Sequence, residues 1–136
     1  MKGFWQARKT KRRIFMRHNQ SGEDYLEAIL ILSKELKDVH QIEVARKLGV
    51  SQPAVLKALK ILKGKGYIQT DGLHISLTDD GKSYAEKVYH MHCIITQFLM
   101  LHGVNEDDAS ADACEMEHCI SSATFAAMEK FVEENK

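Results

Sequence analysis

The sequence predicts a mainly α-helical chain with a small β-hairpin wing: an N-terminal winged helix-turn-helix followed by a helical half. Three observations carry that prediction. Apolar residues recur at helical spacing along much of the chain, and its 136 residues contain a single Pro. A short helical stretch, Gly49 and a Ser-x-Pro helix start together describe helix, tight turn, helix. Directly afterwards, two extended stretches flank Asp71-Gly72, a strong hairpin signal.

Residues 1–20 hold bases and aromatic residues without a sustained period, and read as a basic N-terminal extension. The first helix is predicted over 21–37. Ser21 serves as its N-cap, Glu23 and Asp24 suit the positive helix end, and Tyr25, Ile29, Leu32 and Leu36 recur at helical spacing. A short helix over 41–48 sets Ile42, Ala45 and Leu48 on one face, and Gly49 ends it. Ser51 caps the next helix, and Pro53 sits in its first turn, where a missing N–H costs nothing. That helix runs to about Lys63, buries Val55, Leu59 and Leu62, and is terminated by Gly64 and Gly66. Strands at 67–70 and 74–77 form the wing. Thr78-Asp79-Asp80 caps a long helix to about His102, with Ala85, Val88, His92, Ile95 and Leu99 along its buried stripe, and Gly103 stops it. Acids 106–108 open a helix expected to reach Cys119, and Ser121-Ser122 precede a last helix ending near Glu134. The domains expected are therefore the extension at 1–20, the winged helix-turn-helix at 21–77 and the helical half at 78–136.

Composition bounds what the chain can do. The longest unbroken apolar run is Ala28–Leu32, too short to span a bilayer. No signal peptide is apparent, and three Cys without scaffold-like spacing read as reduced thiols, so a cytoplasmic protein without a membrane partner is expected. Lys plus Arg and Asp plus Glu are both 19, a net charge of zero. The charges are nevertheless sorted. Residues 1–20 carry +7, residues 21–39 carry −3, residues 40–77 carry +4 and residues 78–136 carry −8. An anionic partner for the first part and a different task for the acidic half follow from that asymmetry.

Two constellations carry chemistry. The first is the helix from Ser51 with its wing. A recognition helix presents its N-terminal residues to base edges in the major groove. Here those are Ser51, Gln52, Pro53, Ala54 and Lys57, with Lys60, Lys63 and Lys65 placed for phosphates. Gln can pair bidentately with adenine, and Ala can touch a thymine methyl. A helical hairpin with a merely solvated basic face is the plainer alternative. Gly49, the Ser-x-Pro start, the wing and the local +4 favour double-stranded DNA.

The second is Cys114-Glu115-Met116-Glu117-His118. On a helix, Cys114, Glu117 and His118 share a face, and thiolate, carboxylate and imidazole form a transition-metal ligand set. Asp24 and Glu27 form another i, i+3 pair, and His92 is a further candidate. Each has a plainer reading: Asp24 complementing a helix dipole, Glu27 on a solvated face, Cys114 as a small core residue, His92 as a satisfied buried imidazole. Cys93 and Cys119 are taken as packing residues.

The ordered combination of Ser-x-Glu-Asp-Tyr-x-Glu at 21–27, the helix-turn-helix and wing, His92, and Cys-x-x-Glu-His-x-x-Ser at 114–121 resembles the diphtheria-toxin-repressor and manganese-transport-regulator family over about residues 21–135. The resemblance implies a homodimeric repressor whose helical half dimerises and whose corepressor is a divalent metal. The short chain implies the compact architecture of the manganese branch, without an additional C-terminal domain. Ligands carry over position by position. Asp24 and Glu27 agree with the manganese branch; the iron branch has Met where Asp24 stands. His92, Glu117 and His118 agree with both branches. Cys114 stands where the iron branch has Cys and the manganese branch has Glu. Thr96 and Ser110 occupy positions where the iron branch's ancillary site has Glu and His, so that site is not expected in its usual form.

The donors pull two ways, since carboxylates suit Mn²⁺ and a thiolate favours Fe²⁺, Co²⁺, Ni²⁺ or Zn²⁺. Fe²⁺ or Mn²⁺ is expected physiologically, with Zn²⁺, Co²⁺ or Ni²⁺ able to occupy the site in vitro. The function expected is metal-dependent repression of metal-uptake genes, binding operator DNA as a homodimer when metal is bound. The alternative is a metal-independent winged-helix regulator answering to another effector. No general base or substrate-pocket motif accompanies the donors, so no enzyme activity and no small-molecule substrate are expected.

Overall fold

The computed structural model describes residues 22–136, in two compact units, 22–88 and 89–136. The readings of Ser21 as a cap and of residues 1–20 as an extension lie outside the described residues. Within 22–136 the elements are α1 (Gly22–Glu35), β1 (Val39–His40), α2 (Gln41–Leu48), α3 (Gln52–Gly64), β2 (Ile68–Asp71), β3 (His74–Leu77), α4 (Asp79–Leu101), α5 (Glu106–Met116) and α6 (Ser122–Glu134). The fold is mainly α with a small antiparallel sheet, as the sequence predicts.

In the first unit, α1 is buried at every residue from Asp24 to Leu30, and it packs on α2, α3, β1 and β3. A helix buried on all sides is a core element, and its apolar run Ala28–Ile29–Leu30 supplies that core. It ends at Glu35, so Leu36 lies just outside it and is exposed, against the predicted end at residue 37. Helix α2 matches its predicted span. Val44, Ala45 and Leu48 are its buried residues, whereas Ile42 is only half-buried. Gly49 follows at φ 69°, a left-handed conformation that costs Gly little, and its N–H donates to the Ala45 carbonyl.

Ser51 caps α3 as expected: its hydroxyl accepts from the Ala54 N–H at 3.2 Å. Val55, Leu59 and Leu62 form the buried stripe. Gly64 belongs to the helix; Gly66, at φ 81°, makes the turn into the wing. The wing hairpin is shifted by one residue from its predicted register. Asp71 is the last strand residue, and Gly72-Leu73 form the turn, with positive φ at Gly72 alone. A third strand, β1, is not predicted at all. It pairs with β3 to give the order β1-β3-β2. Two residues carry no readable period, and only the pairing of Val39 with Ile75 and of His40 with His74 makes them a strand.

Helix α4 begins where the wing ends. The Thr78 hydroxyl accepts from the Gly81 N–H at 3.0 Å and donates to the Gly66 carbonyl at 2.7 Å, which fastens the helix start to the end of the α3 turn. Tyr84, one turn later, donates a 2.6 Å hydrogen bond to Glu23 of α1. That bond to a carboxylate, with burial and the charge of Glu23 adding to it, raises the Tyr84 pKa to about 12. Residues 79–88 of α4 belong to the first unit and 89–101 to the second.

In the second unit, Ile94 and Ile95 of α4 pack with Ala113 of α5 and with Met128 and Val132 of α6, and Phe98, Leu99, Met116, Ile120 and Phe125 close around them. The His102 ring stacks on Phe131 with centroids 4.8 Å apart. Helix α5 stops at Met116 rather than Cys119. Its cap Glu117 keeps helical backbone, and His118 and Cys119 form short-range bonds back to Glu115 and Met116, so the last turn tightens and ends.

Gly81 is the position where the wing and α4 are closest. A Cβ there would press into the Tyr67 carbonyl oxygen and lie 2.8 Å from its carbon. Alanine ordinarily favours a helix over glycine by about 1 kcal/mol. At this site backbone must move, and overpacking of that kind costs about 3 kcal/mol. Gly81→Ala is expected to lower the melting temperature by about 10 °C in a thermal unfolding scan; an unchanged or raised value would show that the wing and α4 can separate freely.

Candidate metal centre

The second unit brings three of the six predicted ligands together. His92 comes from the middle of α4, Cys114 from the last turn of α5, and Glu117 from the cap that follows. All three are buried, with His92 and Cys114 at 0% exposure. His92 Nδ1 lies 3.3 Å from Glu117 Oε1 and 3.7 Å from Cys114 Sγ. A carboxylate oxygen and a thiol sulfur therefore both lie close to His92 Nδ1, from different places in the chain. Ligand atoms around one ion, with metal–donor distances of about 2.0–2.3 Å, stand about 3.0–3.7 Å from each other. The two spacings to His92 Nδ1 fall in or near that range, and imidazole, carboxylate and thiol are donor types that suit a borderline divalent cation.

Local sequence explains how the donors are held. Thr96, one turn beyond His92, is also buried, and its hydroxyl donates to the His92 carbonyl at 2.8 Å. This contact fixes the α4 backbone that carries the imidazole. Sequence reading missed this role, although a Thr four residues after a buried His is a readable signal. Glu117 leaves the helix with a buried side chain, and His118 Nε2 lies 4.0 Å from Glu117 Oε2. His118 is the more exposed of the pair, its side chain at 22% against 1% for Glu117. The predicted convergence of Cys114, Glu117 and His118 on a regular helical face is corrected on this point, because the helix ends between the first and the other two.

Asp24 and Glu27 stand one turn apart on α1, in the first unit, and both are at 0% exposure. That excludes the plainer reading of Glu27 as part of a solvated face. Burial pushes the Tyr25 hydroxyl above its ordinary pKa, with the Asp24 carboxylate adding to the effect. Cys93 is half-buried. Cys119 is exposed, and its thiol donates to the Glu115 carbonyl at 3.2 Å, so the expectation of a packing role for Cys119 is not met.

The predicted nucleic-acid residues lie together at the start of α3. Ser51, Gln52, Pro53, Lys57 and Lys60 are exposed and Ala54 is half-buried. The Ser51 hydroxyl is engaged as the helix cap, which leaves Gln52 and Lys57 as the long polar side chains at that end. Lys63 reaches the wing and donates to Thr70 at 2.9 Å.

Residues 19–73 match the model of the iron-dependent repressor N-terminal DNA-binding domain, and residues 78–136 match that of the iron-dependent repressor metal-binding and dimerisation domain. The chain belongs to the iron-dependent repressor family. This family is one of transcriptional regulators, not of enzymes. The transcriptional regulator MntR of Salmonella typhimurium is 35% identical over 136 residues, which cover 99% of this chain and 83% of that protein. A transcriptional regulator of helix-turn-helix type from Methanocaldococcus jannaschii is 34% identical over 121 residues, covering 87% of this chain and 97% of the relative. Among solved structures, the manganese regulator SloR superimposes with a TM-score of 0.76 at 31% identity, over 87% of this chain and 55% of that one. The metal-dependent transcriptional regulator MtsR gives 0.79 at 27% identity, over 85% and 55%. This repressor-family chain spans about half the length of these two solved structures. Among its described residues no helix is long and apolar enough to cross a membrane.

His92 organises the donor set, and its loss is measurable without metal. His92→Ala opens a cavity and removes one partner nitrogen of buried Glu117, which together cost about 3 kcal/mol. Urea denaturation in excess chelator is expected to show that loss; a midpoint equal to the unaltered chain would place His92 outside the structural core of the centre.

Proposed function

We propose that this chain is a metal-dependent transcriptional repressor of metal-uptake genes, binding operator DNA as a homodimer when Fe²⁺ or Mn²⁺ is bound. The observation that carries this reading is the meeting of His92, Cys114 and Glu117 around one imidazole nitrogen in a family member whose other half is a winged helix-turn-helix. The proposed ligands are Asp24, Glu27, His92, Cys114, Glu117 and His118. The two α1 carboxylates enter on the family resemblance and on their complete burial. The proposed DNA contacts are Ser51, Gln52, Pro53, Ala54, Lys57 and Lys60, with residues 21–77 as the DNA-binding part and 78–136 as the metal-binding and dimerising part. Relatives named MntR and a structure titled as a manganese regulator support a metal of this class.

A bound metal would supply positive charge to buried carboxylate and thiolate groups that repel one another, with neutral imidazole as a further donor. The residues do the rest. His92 and Glu117 orient each other, Thr96 holds the His92 backbone, and Cys114 sets selectivity through its soft sulfur. Coupling to DNA requires only that the ligand set bind metal more tightly in the DNA-competent arrangement than in the others. A homodimer then sets two α3 helices to half-sites about one DNA turn, or a multiple, apart. The +7 of residues 1–20 adds sequence-independent attraction to phosphate. No step in this reading transforms a substrate, and the protein acts in the cytoplasm.

Two measurements test the reading. Gel shifts on a duplex from the promoter of a metal-uptake gene, in chelator and with metals added back singly, are expected to show at least tenfold tighter binding with Fe²⁺ or Mn²⁺. Affinity insensitive to chelator would overturn metal control and leave a metal-independent winged-helix regulator. Cys114→Glu is expected to move metal preference toward Mn²⁺ in the same assay, and unchanged selectivity removes Cys114 from the ligand set.

A further inference from the structure

The wing sheet of the first unit carries a second group of metal-type donors. Strand pairing brings them together. His40 of β1 is the Cα partner of His74 of β3, and Asp71 of β2 is the partner of His74 on its other side. The next pair, Val39 with Ile75, is buried, both residues at 2% exposure. Side chains alternate between the two faces of a strand, so His40, His74 and Asp71 form one row on the outer face. Two further carboxylates flank the row. Asp38 Oδ1 lies 3.2 Å from His74 Nε2, and Glu43 Oε1 lies 3.5 Å from His40 Nδ1. Glu43 is fixed there by the His40 backbone N–H, which donates to it at 2.7 Å.

A shared ion requires the two rings to move slightly closer. Two imidazoles on one tetrahedral ion, each at about 2.0–2.1 Å from nitrogen to metal, keep their ring centroids about 5 Å apart. The His40 and His74 centroids are 5.8 Å apart, with ring planes tilted by 31°. Both side chains are about two-fifths exposed, at 41% and 42%, so a small rotation about their side-chain bonds is sterically open. Each ring also has a carboxylate oxygen near one nitrogen, at 3.2 Å for His74 and 3.5 Å for His40. A metal-ligating His characteristically gives its second N–H to a carboxylate, which sets the tautomer and makes the ligating nitrogen more basic.

We propose that the outer face of the wing is a second divalent-metal site of the zinc class. His74 Nδ1 and His40 Nε2 ligate, Asp38 and Glu43 accept from the opposite ring N–H groups, and Asp71 or water completes the coordination. Imidazole donors select Zn²⁺, Cu²⁺ or Ni²⁺ over Mn²⁺, so this site answers to a different metal class from the one proposed for the centre at His92. It also places positive charge on a face where three carboxylates gather beside the DNA-binding helix pair.

Equilibrium dialysis of the full chain against Zn²⁺, with elemental analysis of the retained metal, tests this directly. His74→Gln and His40→Gln are each expected to lose one equivalent of Zn²⁺ relative to the unaltered chain. His92→Ala is expected to keep that equivalent, which separates the wing from the main centre. Equal Zn²⁺ in the unaltered chain and in His74→Gln overturns the proposal, as does its loss in His92→Ala alone. Long-range nitrogen–proton spectra of the unaltered chain stand apart from any variant's folding. Zn²⁺ beyond the first equivalent should shift the His40 and His74 ring nitrogens together, and unshifted resonances at saturation would also sink it.

Discussion

A buried imidazole with a carboxylate and a thiol gathered at one of its nitrogens is the constraint on which the second unit depends. Taking an isolated ionised group out of water costs several kcal/mol, against a total stability of about 5–15 kcal/mol for a domain. His92, Cys114 and Glu117 therefore share an interior position as hydrogen-bonded or charge-paired partners or around a cation. The same donors lose protons when they ligate, so the affinity of such a site rises with pH and its occupancy adds to folding stability. Packing and chemistry are linked here. Ile95, three residues on from His92, and Ala113, next to Cys114, are core residues of the α4–α5–α6 bundle, and so the bundle positions the ligands.

The first unit solves a different problem with local means. Two short helices and a wing must be presented rigidly from about sixty residues. Caps at Gly49 and Ser51 set the sharp turn between α2 and α3, and Thr78 ties the wing's exit to its entrance. The absent side chain of Gly81 lets α4 start against the Tyr67 backbone, and the Tyr84–Glu23 bond joins that helix to α1. The basic residues at the start of α3 then rest on a stripe of Val55, Leu59 and Leu62 that is fully committed to the core.

The existence and order of the helices, the caps at Gly49, Ser51 and Ser121, the left-handed stop at Gly103 and the existence of the wing were legible, because each follows from residues within a few positions of each other, whereas the ends of α1 and α5 were not. Less legible was anything set by a competing contact. Val44 outranks Ile42 in burial, and the wing turn falls on Gly72-Leu73 and not on Asp71-Gly72. Strand β1 was invisible because two residues form a strand only when a partner supplies the hydrogen bonds. The candidate site divides the same way. Cys114, Glu117 and His118 could be named from spacing, whereas the role of Thr96 and the exposure of Cys119 needed the folded chain.

By itself the sequence determined the fold class, the donor types and the sorting of charge, because period, capping and side-chain chemistry are properties of short stretches. Tertiary structure alone decided which donors meet. His92 and Cys114 are brought to 3.7 Å across 22 residues of chain, and α5 ends with Glu117 as its cap. The row of His40, His74 and Asp71 likewise exists only through strand register. Non-local pairing is paid for by burial and hydrogen bonding summed over the whole unit, and no local pattern of residues records that sum.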